Sequence, residues 1–320
     1  MKSIIIQKII KIGLYKFQIT IYLTSNKMFT SYNTFDSSHR ELLDSIKARA
    51  ASMKEDGIVN EGKILNDFTE KHISDFVELK GVGAPALHEI HIFLAELNPT
   101  QEQIELYSWI VEQFNETYKD KTVNFKQMKA PLLALYFRNH GAYVSVLQSS
   151  HYFSSDNKEE ILHQTYLEAS LFLAAGFNII RLKIEASMHG IENMPMSGSE
   201  LTSYYEHHIR VKNTGDMAYD EETNLLNEIS IHFSNQLKTP IPMSYNKNDK
   251  EGRRYLNVRF RNMGYKEALE QVKHIVEHIN NNGDFRVVNH IDEIIICDSF
   301  VELDKGWIDF TDEEKTEMFA

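Results

Sequence analysis

Two short stretches pair a glutamate with a histidine at one spacing. Residues 88–94 read HEIHIFL and residues 204–212 read YYEHHIRVK, and both contain Glu, any residue, His, Ile, any residue, aliphatic. A carboxylate beside an imidazole orients the ring and stabilises its protonated form, which suits general acid–base work near neutral pH. Side chains of a strand alternate between its two faces. Glu89, His91 and Phe93 then share one face opposite Ile90, Ile92 and Leu94. Glu206, His208, Arg210 and Lys212 likewise share one face opposite Ile209 and Val211.

The same alternation brings further polar residues to that side. Ser145, Arg181, Lys183 and Glu185 fall with the first pair; Asn257, Arg259, Arg261 and Glu293 fall with the second. In one reading, His91 and His208 are general acid and base on a phosphoester, oriented by Glu89 and Glu206, with no cofactor. Arg181, Lys183, Arg210, Lys212, Asn257, Arg259 and Arg261 then bind the substrate, a phosphorylated small molecule or nucleotide, since guanidinium forks match phosphate oxygens. In a second reading, His91, His208, Glu185 and Glu293 hold a divalent metal, and the many cations count against it. A third reading has no chemistry: the faces bind a peptide, a nucleotide or single-stranded nucleic acid, with Phe93 and Tyr255 the best stacking rings. A solvated face with Glu and Arg paired across strands is the plain competitor for any one residue. His88 and His207 fall on the aliphatic side and read as structural. His274 and His278 lie four apart on a helix, but without a third ligand they read as a solvated helix edge.

The elements that position these residues follow from periodicity. Residues 88–96 read as a strand. Thr100 with Gln103 makes a capping box for a helix carrying Ile104, Tyr107, Val111, Phe114 and Tyr118. Strands follow at 131–137 and 142–149, then a helix with its cap at Asp156 and Gly176 at its end, then a strand at 177–185. The order strand, helix, strand, strand, helix, strand recurs from 204 to 296. The expected fold class is α+β, two tandem ferredoxin-like (βαββαβ) modules with a helical N-terminal arm. The expected divisions are a leader over 1–29, the arm over 30–82, a first module over 83–186, a linker over 187–203, a second module over 204–311 and an acidic tail over 312–320. Each module leaves one sheet face open, and two open faces that meet enclose a cleft with both histidines.

Composition narrows the partners. The 320 residues carry a net charge of −12, which argues against a general nucleic-acid coat but not against a local basic groove. Cys297 is the single cysteine, so no intramolecular disulfide forms, and a reducing, cytoplasmic setting is expected. The first 29 residues hold no acid, and Lys8, Lys11 and Lys16 interrupt their apolar run, so no membrane span is expected there. They read as a dispensable leader with Met28 the effective start; a basic membrane-surface helix is the competitor.

The second half resembles an uncharacterised family of conserved bacterial and viral proteins through YEHHIRV at 205–211, HFSN at 232–235, RYLNVRF at 254–260, CDS at 297–299 and LDKGWI at 303–308. The first half is similar through EIHIFL at 89–94 and GFNIIRLKIEA at 176–186. The resemblance implies shared structure over most of 88–308 and no established activity. A looser likeness is to two-histidine phosphoesterases, which pair two lobes around one His from each. Their pattern continues to Thr or Ser, where this chain has Phe93 and Arg210. The layout is also similar to paired-module metalloenzymes of the vicinal-oxygen-chelate type, which implies the metal reading.

Overall fold

The computed structural model describes residues 8–12, 15–19, 36–53, 62–65, 87–119, 126–137, 141–188, 204–261 and 263–300. Strands β1 (Lys8–Ile12) and β2 (Tyr15–Ile19) form an antiparallel pair of their own. Helix α1 (Ser37–Met53) follows. Then come β3 (Leu87–Leu97), α2 (Gln101–Tyr118), β4 (Leu132–Phe137), β5 (Ala142–Ser154), α3 (Lys158–Ala174) and β6 (Ile179–Ser187). The remaining elements are β7 (Tyr204–Asn213), α4 (Tyr219–Leu237), β8 (Met243–Asn246), β9 (Arg254–Phe260), α5 (Tyr265–Asn282) and β10 (Phe285–Asp298). Within the expected helical arm, Ile64 makes an isolated parallel bridge to Ile179; residues 66–82 of the arm and the tail after 300 lie outside the described residues, as do most of the leader and linker.

Strands β3 to β10 close into one antiparallel barrel in the order β10-β6-β3-β5-β4-β8-β9-β7. This corrects the expected pair of ferredoxin-like modules: the chain is neither two α+β units nor an internal duplication with separate open sheets. The overturning contacts are two edge pairings. Glu293 to Asp298 of β10 pair with β6, and Leu133 to Leu135 of β4 pair with β8. Strand edges carry unpaired backbone donors and acceptors, and closure satisfies them. Alternation in a sequence reports which face a side chain takes, not which edge a strand meets.

Local signals set the helix ends. Thr100 and Gln103 form the expected capping box at α2. The cap of α3 is Asn157 rather than Asp156, its side chain accepting from the backbone of Glu159 and Glu160. Gly283 ends α5 at φ 82°, a left-handed conformation that favours glycine.

The aliphatic side of each strand faces outward under the helices. Ile90, Ile92 and Leu94 of β3 join one core cluster with Ile110 and Phe114 of α2, Phe172 of α3 and Ile46 of α1. Ile209 and Val211 of β7 join a second with Phe233 of α4 and Ile275 of α5. That leaves the polar side of the strands inside the barrel. One end of the interior is filled: Phe93, Leu135, Phe137 and Val146 cluster there with Ile180. Beside them Arg181, with no exposed surface, bonds Asp298 through Nε at 2.8 Å and Nη2 at 2.5 Å and reaches the Tyr204 hydroxyl at 3.0 Å. Neighbouring strands alternate in direction, so the other end collects the starts of β3, β4, β9 and β10 and the ends of β5, β6, β7 and β8. That end is open.

Candidate active site

The open half of the barrel encloses a cavity of about 250 Å³. An eight-stranded barrel has room inside for side chains or one small ligand. His91 enters from β3 and His208 from β7, both as strand residues, and both line this cavity. The expected meeting of the two Glu-x-His pairs is thus met in space, though inside a barrel rather than between open sheets.

The two histidines have matching surroundings. His91 Nε2 stands 3.2 Å from Glu185 and 3.9 Å from Glu89, and its Nδ1 is 2.6 Å from the Gln148 amide. His208 Nε2 stands 3.0 Å from Glu293 and 3.9 Å from Glu206, and its Nδ1 is 2.6 Å from Asn257 Oδ1. Register makes these neighbours: Glu89 is opposite Glu185 across β3 and β6, and Glu206 is opposite both Glu293 and Arg259. Asn257 donates through Nδ2 to Ser244 Oγ at 3.0 Å and to the Pro242 carbonyl at 3.3 Å. Its oxygen therefore faces the ring, and His208 carries a proton on Nδ1.

Lys183 links the two halves of the site. Its ammonium contacts Glu185 and lies 2.6 Å from Glu206, which also takes Arg259 Nη2 at 2.7 Å. Burial works to raise the Glu206 pKa, but Arg259 and Lys183 outweigh it and hold the group well below the usual carboxylate range. Burial pushes His91 below 6.5; Glu89 opposes that shift and Lys183 adds to it. Burial also works to lower His208, but Glu206 and the bond to Glu293 outweigh it and raise the pKa. The two rings are thus shifted in opposite directions, His91 toward its neutral form and His208 toward its protonated form. Glu89 accepts from the Ser150 hydroxyl and bonds the Tyr152 hydroxyl.

The residues expected to bind substrate divide. Lys183, Arg210, Asn257 and Arg259 line the cavity, with Glu185 and Glu293 of the metal alternative. Arg181 belongs to the closed end and is held by Asp298. Arg261 is exposed, its guanidinium 4.1 Å from the Tyr204 ring centroid, and with Lys212 and Ser145 it does not line the cavity. Inward on β5 are Gln148, Ser150 and Tyr152. Their i, i+2, i+4 spacing was the available signal, masked by the Val144 and Val146 alternation just before them. His207 and His151 lie outside the interior: His207 bonds Asp292 at 2.8 Å and His151 bonds Glu168 at 2.5 Å.

Two donor groups in the cavity have spacings that fit an ion: Glu89, His91 and Glu185, and Glu185, Glu206 and His208. The Lys183 ammonium already stands on Glu185 and Glu206, where such an ion would draw its charge. Among the described helices none is long and apolar enough to cross a membrane. No known protein family and no curated protein matches the chain.

Proposed function

We propose that the barrel cavity is a catalytic site in which His91 and His208 serve as general base and general acid on a small phosphorylated molecule or nucleotide. The observation that carries this reading is the pair of imidazoles in one enclosed cavity, each with its Nδ1 against an amide and its Nε2 against a carboxylate. An amide and a carboxylate fix the ring's orientation, which proton transfer needs before any matched pKa is useful. Opposite shifts of two titratable groups in one cavity support a division of roles: His91, shifted toward its neutral form, takes a proton, and His208, shifted toward its charged form, gives one. A cavity of about 250 Å³ lies near the small end of ligand pockets, which run from roughly 300 Å³. It suits a small molecule rather than a polymer.

The test is turnover. The full chain is incubated in D2O with a panel of phosphate monoesters, diesters and nucleotides, and followed by phosphorus and proton NMR. Phosphoester cleavage or solvent deuterium entering carbon is expected with one class of compound, with a bell-shaped pH profile, and is lost in both His91→Gln and His208→Gln. A wild type that changes no compound, or a variant that keeps the activity, overturns the reading. Activity that requires an added divalent ion, and disappears in Glu185→Gln, replaces it with the metal reading.

A further inference from the structure

Charge changes sign along the cavity. Around the histidines Glu185, Glu206 and Glu293, with Glu89 a step nearer the mouth opposite Tyr152, outnumber Lys183 and Arg259. The rim carries Arg210 and Lys129. Arg210 lies on β7 one alternation beyond His208, its guanidinium 5.1 Å from the Tyr255 ring centroid, and its buried Nε has no hydrogen-bond partner. Across the mouth, the Lys129 ammonium lies 5.1 Å from the Tyr152 ring centroid, as does that of Lys126. Among the described residues neither Arg210 nor Lys129 is ion-paired. The carboxylate that feels Arg210, Asp249, is bonded through both oxygens to Arg253 at 2.6 and 2.9 Å. Lys183 and Arg259, by contrast, are spent on Glu185 and Glu206.

We propose that Arg210 and Lys129, each backed by a tyrosine ring, form an anion-binding collar that takes a substrate phosphate at the cavity mouth. The substrate's other end, bearing hydroxyl or amine donors, then lies inward among the carboxylates. This rests on the acid–base reading of the cavity and extends it: the phosphate is a handle, and the proton transfers occur at the inward end. A phosphate driven down to the histidines would meet four glutamates; at the rim it meets a guanidinium fork and an ammonium whose aromatic neighbours restrict their motion. Donor groups at the inward end satisfy acceptor-only carboxylates. His91 takes a proton as one bond to hydrogen breaks at the inward end, His208 delivers one as another forms, and proton exchange with solvent returns both rings to their starting states, so the proton count is unchanged and no co-reactant is consumed.

Isothermal titration of the full chain at low salt, with inorganic phosphate as the probe, tests the collar. Arg210→Gln and Lys129→Gln are each expected to weaken phosphate about tenfold, the effect of one charge-assisted hydrogen bond. Arg261→Gln should leave it unchanged, and His91→Gln should retain it. Glycerol 3-phosphate should bind more tightly than phosphate, because its hydroxyls reach inward. Absence of phosphate binding at concentrations on the order of 10 mM overturns the collar. So does an unaltered affinity in Arg210→Gln, and so does a loss in His91→Gln as large as in Arg210→Gln, which would seat the phosphate deep. Failure of the acid–base reading has a different signature: the histidine variants keep turnover while phosphate binding is unaffected.

Discussion

Replacing Lys183 with methionine keeps the side-chain stem and removes the ammonium between Glu185 and Glu206. Glu206 retains Arg259 at 2.7 Å, but Glu185, 1% exposed, loses its one cationic contact among the described residues. Breaking a buried pair on one side costs about 3–5 kcal/mol, because a buried charge is left uncompensated. His91, 3.2 Å from Glu185, limits the loss, since removing Lys183 also removes a charge that lowers its pKa. We therefore expect about 3 kcal/mol at pH 8, which at roughly 2 °C per kcal/mol is a Tm lower by about 6 °C. The deficit should shrink toward pH 5. In the variant Glu185 is a buried anion without its cation, so the penalty is full at high pH and is relieved as falling pH favours its neutral form and a charged His91 beside it. Lys183→Met with Glu185→Gln should recover most of the loss. Thermal melts at pH 5, 6.5 and 8 check all three variants. An unchanged Tm, a deficit equal at pH 5 and pH 8, or a double variant no better than the single one refutes the reasoning.

Other outcomes follow from the same geometry. Arg181→Met should cost about 3–5 kcal/mol, since Asp298 stays buried without its cation, and Asp298→Asn in that background should recover part of it; urea unfolding measures both. His151→Gln should lose more stability at pH 5.5 than at pH 8.5. Burial works to lower the His151 pKa, but Glu168 outweighs it, so the pair stabilises the fold below 6.5 and that stability is lost as pH rises through the raised value.

Much of the site was legible because strand alternation is a local property. The Glu-x-His pairs assigned His91, His208, Glu89 and Glu206 to one side, and those four residues meet in the barrel. The two metal-alternative glutamates were legible for the same reason, Glu185 through the alternation of 177–185 and Glu293 through that of β10. What alternation does not carry is the pairing of distant edges, so closure through β10–β6 and β4–β8 was missed, and with it the fold class. Closure also decides which cations are free. Arg181 shares a face with Lys183 along β6, yet lies two residues nearer the closed end, where Asp298 takes it up. Gln148, Ser150 and Tyr152 escaped because Val144 and Val146, earlier in the same strand, point to the same side and fill the closed end with apolar bulk. One strand thus serves an apolar half and a polar half of the barrel, and the polarity of its alternation changes midway.

That change along β5 bears on why the polar half exists. Burying paired charges gives little or no net stability, and apolar residues of similar volume often do better. The closed end of this barrel uses that apolar solution, with Phe93, Leu135, Phe137 and Val146 filling the space. The open end, built on the same strands, keeps four glutamates, two histidines, Lys183 and Arg259 around empty volume. Stability alone gives no reason for the difference, because the strands accept either filling. An acid–base site does give one: it needs two oriented imidazoles, and a carboxylate beside each ring orients it and, at His208, favours its charged form. The carboxylates in turn require cations to keep them ionised when buried, as Lys183 and Arg259 do for Glu206. Each charge in the cavity then has a reason that runs back to His91 and His208. The two cations left over, Arg210 and Lys129, stand where a ligand would enter.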